Sequence, residues 1–568
     1  MKKWKSFMAA VLVGVMVLSL GGCGQKESSG SSGSAEAGTA ESDSSGGSVG
    51  TDQTQDGKSM TVVETTALTS IDPLDAGSEN IANAVANVYA GLYTLDENGN
   101  AVLDLAESVE KSDDLLTWTF TLKDAKWSNG DPVTAYDYEY AWKRIVNPDN
   151  YDGTSVSSYP TNAGIKNAKA IADGELPDTE LGCHAEDDKT FVVEFDSVVP
   201  YAEEVLALPT FYPVQQKFVE ECGDMFGLGK EYILCNGPFL VEDYELGNTY
   251  WSFTRNPDFV GYQSGNSNLQ TLEYQLIQDS QQAMLAYTSG DVDMAGITGE
   301  QVDLYKNEAG FTQIPDSRTT YLAINCETVT NQNLRLALAH CIDKEALCDS
   351  VLKDGSSPAY TIVPSGLSVD ENGKDFTEGS GKYQETDKEL AAQYWETAKK
   401  EMGIDSYNME FLITSDESAY TVGAYIQDQV QSTLDGVTVE LKTVPFKSKM
   451  EYVNSGDFDF CVVSWGGDYP DPLTFLNCYI TGYPINVSKW SNPDYDAIIE
   501  DVLAGVYDTS VTERFNALHE AEKIFMEDAS VVVLYQGMNC MMINPKISGI
   551  EFHGIGVSEV FRNVVIAD

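Results

Sequence analysis

A segment that could bind a charged ligand runs from Ser464 to Pro472 and reads Ser-Trp-Gly-Gly-Asp-Tyr-Pro-Asp-Pro. It follows an apolar run that predicts a buried strand. The two glycines allow close backbone approach and the prolines stiffen the exit, so the segment can hold the Asp468 carboxylate and the Trp465 ring at the rim of a cleft. An ordinary strand-to-loop turn, with Trp465 in the core and Asp468 as a local cap, fits the same residues.

Motifs for catalysis or metal binding are missing from the part of the sequence that we expect to fold. His519-Glu520 lacks the second histidine of a zinc protease, and neither a GxSxG elbow nor a P-loop occurs. The run from Asp96 to Asn100 places its glycine fourth rather than sixth, which predicts a surface turn instead of a calcium loop. We expect no enzyme, no metal site and no cofactor. A secreted hydrolase is the alternative of another class, since the sequence cannot single out a catalytic pair among 89 carboxylates.

The N-terminus predicts a lipoprotein leader over residues 1–22. Three lysines precede an apolar run from Phe7 to Leu20, which is too short for an ordinary membrane span and typical of a signal peptide. Leu-Gly-Gly-Cys then ends the leader, so Cys23 is the expected lipidated N-terminus. A plain secretory signal that contains a cysteine is the alternative. We expect the mature protein to sit on the outer face of the cell membrane, anchored through Cys23.

Residues 23–58 are rich in Ser and Gly and poor in large apolar residues, which predicts a flexible tether outside the fold. The rest of the chain is long enough for two or three domains. The formal net charge of the whole sequence, −55, argues against nucleic acid as a partner. The same charge serves solubility, and a preference for cationic ligands is a second interpretation.

The cysteines beyond Cys23 form an odd, scattered set without CxxC pairs, which predicts neither a zinc site nor a disulfide scaffold. We expect most of them to be small buried apolar residues, with one or two disulfides left open. These cysteines are Cys183, Cys222, Cys235, Cys326, Cys341, Cys348, Cys461, Cys478 and Cys540.

Strand and helix patterns alternate along the chain and predict an α/β fold with several sheets. Residues 117–122 alternate as a half-buried strand. Capping residues predict helices that begin after Thr134, at Asn331 and after Ser510. A fourth helix is predicted with Leu390, Tyr394, Ala398 and Met402 on its apolar face and Gly403 at its C-terminus.

Several short segments carry a family resemblance when they are taken together and in order. They are Val88–Tyr93, Trp118–Phe120, Lys126–Ala135, Asn236–Phe239, Arg255–Pro257, Ser289–Asp293, Arg335–Ala339 and Trp465–Pro472. Through these segments, and over almost all of residues 59–568, the chain resembles the family 5 extracellular solute-binding proteins of ABC importers, the oligopeptide- and dipeptide-binding proteins.

The resemblance implies a two-lobed, periplasmic-binding-protein-like α/β fold (type II, cluster C like) with an extra subdomain inserted in the first lobe. Lobe I would span 59–318 with the inserted subdomain at about 94–213, and 537–568 would return to it. Lobe II would span 319–536. The lobes would close on an oligopeptide as a hinge and deliver it to a permease and ATPase complex, and we expect the protein to act as a monomer.

By similarity, Asp468 matches the acid that pairs with the peptide's α-ammonium. The peptide backbone would add as a strand beside main-chain groups near Leu68, Ser464 and Gly466. Trp465, Tyr469 and Tyr321 would line the side-chain pockets, with a purely structural role for these aromatics as the alternative.

The chain departs from the family at two positions, and the first departure leaves the ligand's length and the anchoring of its C-terminus open. Val462 stands where some relatives carry an arginine that grips the carboxylate, and Gly466 stands where some carry a disulfide cysteine. Capture of another solute, such as an oligosaccharide or a metal chelate, is the alternative within the fold, and a sensory receptor is a third interpretation.

Overall fold

The structure is a computed structural model that describes residues 58–150, 155–415, 417–483, 485–507 and 510–568. The predicted leader, the lipidation site Cys23 and the tether up to residue 57 lie outside the described residues. Lys58, the last residue of the predicted tether, belongs instead to the first strand and lies opposite Leu269. The tether itself stays a prediction.

The described residues form strands and helices throughout. The strands are β1 (Lys58–Glu64), β2 (Tyr93–Leu95), β3 (Ala101–Leu103), β4 (Ala106–Lys111), β5 (Thr117–Leu122), β6 (Cys183–Ala185), β7 (Thr190–Glu194), β8 (Phe239–Asp243), β9 (Tyr250–Arg255), β10 (Leu269–Leu276), β11 (Met294–Ile297), β12 (Phe311–Ile324), β13 (Ser357–Pro358), β14 (Tyr407–Thr414), β15 (Val437–Val444), β16 (Phe460–Gly466), β17 (Val531–Ile543), β18 (Ile547–Ser548), β19 (Glu551–Phe552), β20 (Glu559–Val560) and β21 (Val565–Ile566). The helices are α1 (Glu79–Val88), α2 (Ala135–Val146), α3 (Tyr159–Asn162), α4 (Ala168–Ala172), α5 (Ala202–Leu206), α6 (Gln216–Cys222), α7 (Ser280–Ser289), α8 (Glu300–Tyr305), α9 (Gln332–Cys341), α10 (Lys344–Ala346), α11 (Lys388–Met402), α12 (Glu417–Thr433), α13 (Phe446–Ser455), α14 (Leu473–Leu476), α15 (Pro493–Leu503) and α16 (Val511–Asp528).

The elements predicted from local patterns are confirmed. β5 buries Trp118, Phe120 and Leu122 on one face. The Asp137 carboxylate accepts a hydrogen bond from the Thr134 N–H at 2.8 Å and so caps α2. Asn331 caps α9 and Ser510 caps α16 in the predicted places, because each side-chain oxygen accepts the N–H three residues on.

In helix α11 the buried face differs in part from the predicted one. Gly403 ends this helix with φ 67°, as predicted. The buried stripe consists of Ala391, Trp395 and Ala398, whereas Leu390, Tyr394 and Met402 are only partly buried. The face is turned because the Trp395 ring fills the core, and its Nε1 donates to the Asp435 carbonyl at 2.7 Å. A large aromatic ring outweighs the leucine and methionine that set the predicted stripe.

One mixed sheet of eleven strands organises the molecule, in the order β15-β14-β16-β12-β17-β11-β1-β10-β9-β8, with β13 beside β17. The two long strands β12 and β17 pair antiparallel along their length, with a register shift between Pro315 and Thr319. The first half of β12 pairs with the second half of β17, which lies beside β11. The second half of β12 lies between β16 and the first half of β17. These two strands therefore link the two halves of the sheet.

Smaller units lie outside this sheet. Strands β4, β5, β7 and β6 form a separate antiparallel sheet within residues 106–194, inside the predicted insertion. The lobe boundaries given above stay a prediction. The cysteines are free throughout the described ranges, and only Cys222 and Cys326 are not fully buried, as expected for small apolar residues.

Candidate functional site

The loop after β16 is held in place by one threonine and one backbone contact. The Thr474 hydroxyl accepts the Asp468 N–H at 2.9 Å, and the Thr474 carbonyl accepts Trp465 Nε1–H at 3.0 Å. The Gly467 N–H donates to the Ser317 carbonyl at 3.0 Å. A side chain at Gly467 would contact Leu367 at 2.9 Å, so glycine lets the loop pack closely here. These contacts fix the backbone of the loop at Asp468.

Four of the predicted site residues line one cavity of about 460 Å³: Ser464, Trp465, Gly466 and Asp468. The opposite wall comes from the β11 side of the molecule. Its residues include Ala76, Gly77, Ser78, Glu79, Ala82, Tyr159, Leu208, Pro209, His553, Gly554, Ile555, Gly556 and Ser558. The cavity therefore lies between the end of β16 with its following loop and elements far from them in sequence, which is the geometry of a binding cleft.

The Asp468 carboxylate is partly buried and has no hydrogen bond or ion pair with any described residue. Burial raises the pKa of Asp468 because its charged form loses water without gaining a partner. Asp471, three residues on, is different. Arg514 donates to both of its oxygens, at 2.9 and 3.0 Å, in a buried ion pair. Asp471 is structural, whereas Asp468 is free to receive a cation.

The outer half of β16 presents an open strand edge to the same cleft. β16 pairs with β12 along its whole length, but with β14 only at Phe460 and Cys461. From Val463 to Gly466 the described structure has no strand on the β14 side. Main-chain groups on such an edge can pair with an extended chain.

Three predicted site residues lie away from this cavity. Leu68 and Tyr321 are each 3% exposed, and the Tyr321 ring packs on Tyr479 in the core. Tyr469 is buried and stacks on Tyr201 with ring centroids 4.4 Å apart, where it lines an adjoining cavity of about 310 Å³. Its ring thus forms a wall next to the cleft. For Tyr321 the structural alternative fits its position better.

Sequence reasoning missed several residues of the cleft. Arg318 and Asp316 line it and form an ion pair at 3.4 Å, and Glu79 also lines it. Arg318 therefore brings a positive charge to the cleft. We did not predict this charge from the sequence, because Val462 stands at the position where some relatives carry an arginine. No local pattern distinguishes these residues, because strand pairing across the molecule brings them to the site.

Within the described ranges, no group of three or more His, Cys, Asp or Glu side chains is placed to hold a metal ion. Among the helices of those ranges, none combines the length and the apolar character that crossing a membrane requires.

Comparison with known proteins identifies the architecture. Residues 100–486 match the family described as bacterial extracellular solute-binding proteins, family 5 middle. A dipeptide-binding protein of Lactococcus lactis is 30% identical over 525 residues, 88% of this chain and 93% of the relative. The periplasmic oligopeptide-binding protein OppA of Haemophilus influenzae is 30% identical over 496 residues, 84% and 88% of the two chains.

The structure agrees with the sequence matches. Listeria monocytogenes OppA bound to peptide superposes with a TM-score of 0.71 at 33% identity, covering 90% of this chain and 100% of that one. The predicted fold class, a two-lobed α/β binding-protein fold, is confirmed by this likeness.

Proposed function

Because this chain belongs to the family 5 bacterial extracellular solute-binding proteins, we propose that it captures oligopeptides outside the cell and delivers them to an ABC importer. The family is one of solute binders, and the relatives named above are peptide-binding proteins. In this proposal the protein makes and breaks no bond. Its partners are the peptide, the permease and the ATPase of the importer.

The observation that carries the proposal is the unpaired Asp468 carboxylate in the cleft. A peptide's α-ammonium would supply the missing counter-charge, and a charge-assisted hydrogen bond forms between the two groups. The raised pKa of Asp468 returns towards its ordinary range when a cation binds, because the cation stabilises the charged form. Asp468 thereby fixes the peptide's N-terminus.

The open edge of β16 suits the rest of the peptide. An extended backbone would pair with main-chain groups between Ser464 and Gly466, as an added strand does. Main-chain hydrogen bonds do not depend on the peptide's sequence, so this mode gives broad specificity. Trp465 lies beside this edge and would contact the peptide's side chains.

We propose that ligand binding closes the two lobes, with β12 and β17 as the connection between them. Lobe I would comprise 59–318 and 537–568, and lobe II would comprise 319–536. The mature protein would act as a monomer, anchored to the outer face of the cell membrane through lipidated Cys23, so that a flexible tether lets it reach the permease.

The test uses purified protein that has been unfolded mildly, freed of bound ligand and refolded. Native mass spectrometry of the released material should give a mixture of peptide masses. Titration of a released peptide and its N-acetylated form then tests Asp468. Asp468→Asn should weaken binding of the free peptide about 100-fold or more, from roughly 3 kcal/mol for an unpaired buried charge.

The controls separate this contact from general effects. N-acetylation should weaken binding to the wild-type protein by a similar factor, and should have little effect on Asp468→Asn. Asp113→Asn removes the same charge at an exposed position and should bind like the wild type. Undiminished binding of the free peptide by Asp468→Asn would refute the role of Asp468, and a single non-peptide mass would refute the peptide assignment.

A further inference from the structure

The cleft continues into a larger cavity of about 760 Å³ on the β11 side of the molecule. The two cavities share part of their lining, so they adjoin and one ligand can occupy both. The shared residues are Ser78, Glu79, Asn539, His553 and Ser558.

The charged side chains that line this second cavity are mainly acidic. Among the described residues that line it are four carboxylates, of Glu64, Glu79, Asp279 and Glu559, and no lysine or arginine. His553 also lines the cavity, with its two ring nitrogens 3.0 Å and 2.7 Å from backbone carbonyl oxygens. The described lining thus offers these acids no lysine or arginine as a counter-ion.

Two of the carboxylates are held without a counter-ion. Glu64 and Glu559 are partly buried, and neither forms an ion pair within the described residues. The Glu559 carboxylate also has no hydrogen-bond donor there. Burial, and then repulsion from Glu64 and Glu79, raises the pKa of Glu559 to about 8. Burial and repulsion from Glu79 raise the pKa of Glu64 to about 7. A cation placed between these groups would relieve both effects.

Asp279 is the exception within the group. Its side chain caps α7 by accepting the Gln282 N–H at 2.9 Å, so its charge already has a local role. Glu64 and Glu79 lie close enough to Glu559 to raise the pKa of Glu559, and Glu79 lines both this cavity and the cleft that contains Asp468.

We infer that the Glu64, Glu79 and Glu559 carboxylates form a subsite for a cationic side chain of the bound peptide, so that the protein prefers peptides containing lysine or arginine. The inference rests on the proposed function and specifies its substrate class. Asp468 holds the ammonium at the peptide's N-terminus, and the acidic subsite holds a second positive charge further along the ligand. A neutral or acidic side chain leaves the three carboxylates unbalanced.

Binding of the cation has a second measurable consequence. A carboxylate with a raised pKa is partly protonated near neutral pH and loses its proton when a cation arrives. Peptides with a lysine in the subsite should therefore release protons on binding at pH 7. Calorimetry in two buffers of different ionisation enthalpy measures that release directly.

The experiment uses alanine tetrapeptides in which one position at a time carries lysine or norleucine. Norleucine keeps the aliphatic chain and removes the charge. For at least one position we expect the wild-type protein to bind the lysine peptide about 10-fold or more tightly than the norleucine peptide, the factor that follows from one charge-assisted contact. Proton release should be larger for the lysine peptide than for the norleucine peptide.

The double variant Glu64→Gln/Glu559→Gln should bind lysine and norleucine peptides about equally, and should bind tetra-alanine as the wild type does. Asp279→Asn lines the same cavity and serves as the matched control, with the lysine preference retained. Equal affinity for lysine and norleucine at every position in the wild type would overturn the inference, and so would a lysine preference that survives in the double variant. Failure of tetra-alanine and all its substituted forms to bind would instead refute the proposed function.

Discussion

Lys344 gives a prediction whose sign and size follow directly from its surroundings. Its side chain is 0% exposed, and its ammonium donates to one carbonyl, that of Ala359, at 3.2 Å. The ammonium also lies 5.4 Å from the centre of the Tyr360 ring. Burial lowers the pKa of Lys344 to about 7, although Cys348 and Glu385 act in the opposite direction. Folding therefore removes a well-hydrated charge from water, and the hydrogen bond to Ala359 compensates for only a small part of the lost hydration.

The depressed pKa makes stability rise with pH. The unfolded chain keeps its proton up to an ordinary lysine pKa near 10.4, whereas the folded protein loses it at about 7. Between these values the unfolded state binds more protons, so the free energy of unfolding increases as pH rises. The cost of burying the charge is fully present below pH 7. About 2 kcal/mol of that cost is relieved between pH 7 and pH 9.

Urea unfolding of the wild type and of Lys344→Met at both pH values tests this reasoning. Methionine keeps an unbranched chain and removes the charge, so the variant should be more stable than the wild type at pH 7. Its advantage should shrink by about 2 kcal/mol at pH 9. Lys382→Met is the matched control, because the exposed Lys382 ammonium lies 5.0 Å from the centre of the same Tyr360 ring. A stability difference between wild type and Lys344→Met that is the same at both pH values would refute the argument.

Two further predictions concern the support of the site and the anchor. Arg514→Met leaves the buried Asp471 carboxylate without its ion-pair partner. The variant should lose roughly 3–5 kcal/mol of the free energy of unfolding, measured by urea unfolding. A loss below about 1 kcal/mol would contradict a structural role for the pair. Cys23→Ala should move the protein from the membrane fraction to the medium, measured by immunoblotting of fractionated cells, and continued membrane retention would argue against lipidation at Cys23.

Local sequence patterns determined the elements that depend on neighbouring residues. Alternation in β5 and the caps at Thr134, Asn331 and Ser510 predicted the right strand and helix starts, because period-two burial and cap hydrogen bonds involve only residues a few positions apart. The predicted face of α11 contains the buried Ala398 but missed Ala391 and Trp395, since the depth of the neighbouring core, and not the periodicity, decides which side chain is buried.

In the candidate site, too, the sequence predicted the residues that are neighbours along the chain. The sequence alone placed Ser464, Trp465, Gly466 and Asp468 on one short segment, and the structure finds them lining one cavity.

Only tertiary structure decided what faces that segment. Antiparallel pairing of β12 with β16 carries Arg318 into the cleft. The acidic subsite joins Glu64 to Glu559, almost the whole length of the chain apart, because the C-terminal segment packs back against α1. Electrostatic interaction depends on distance in space, which a linear sequence does not contain.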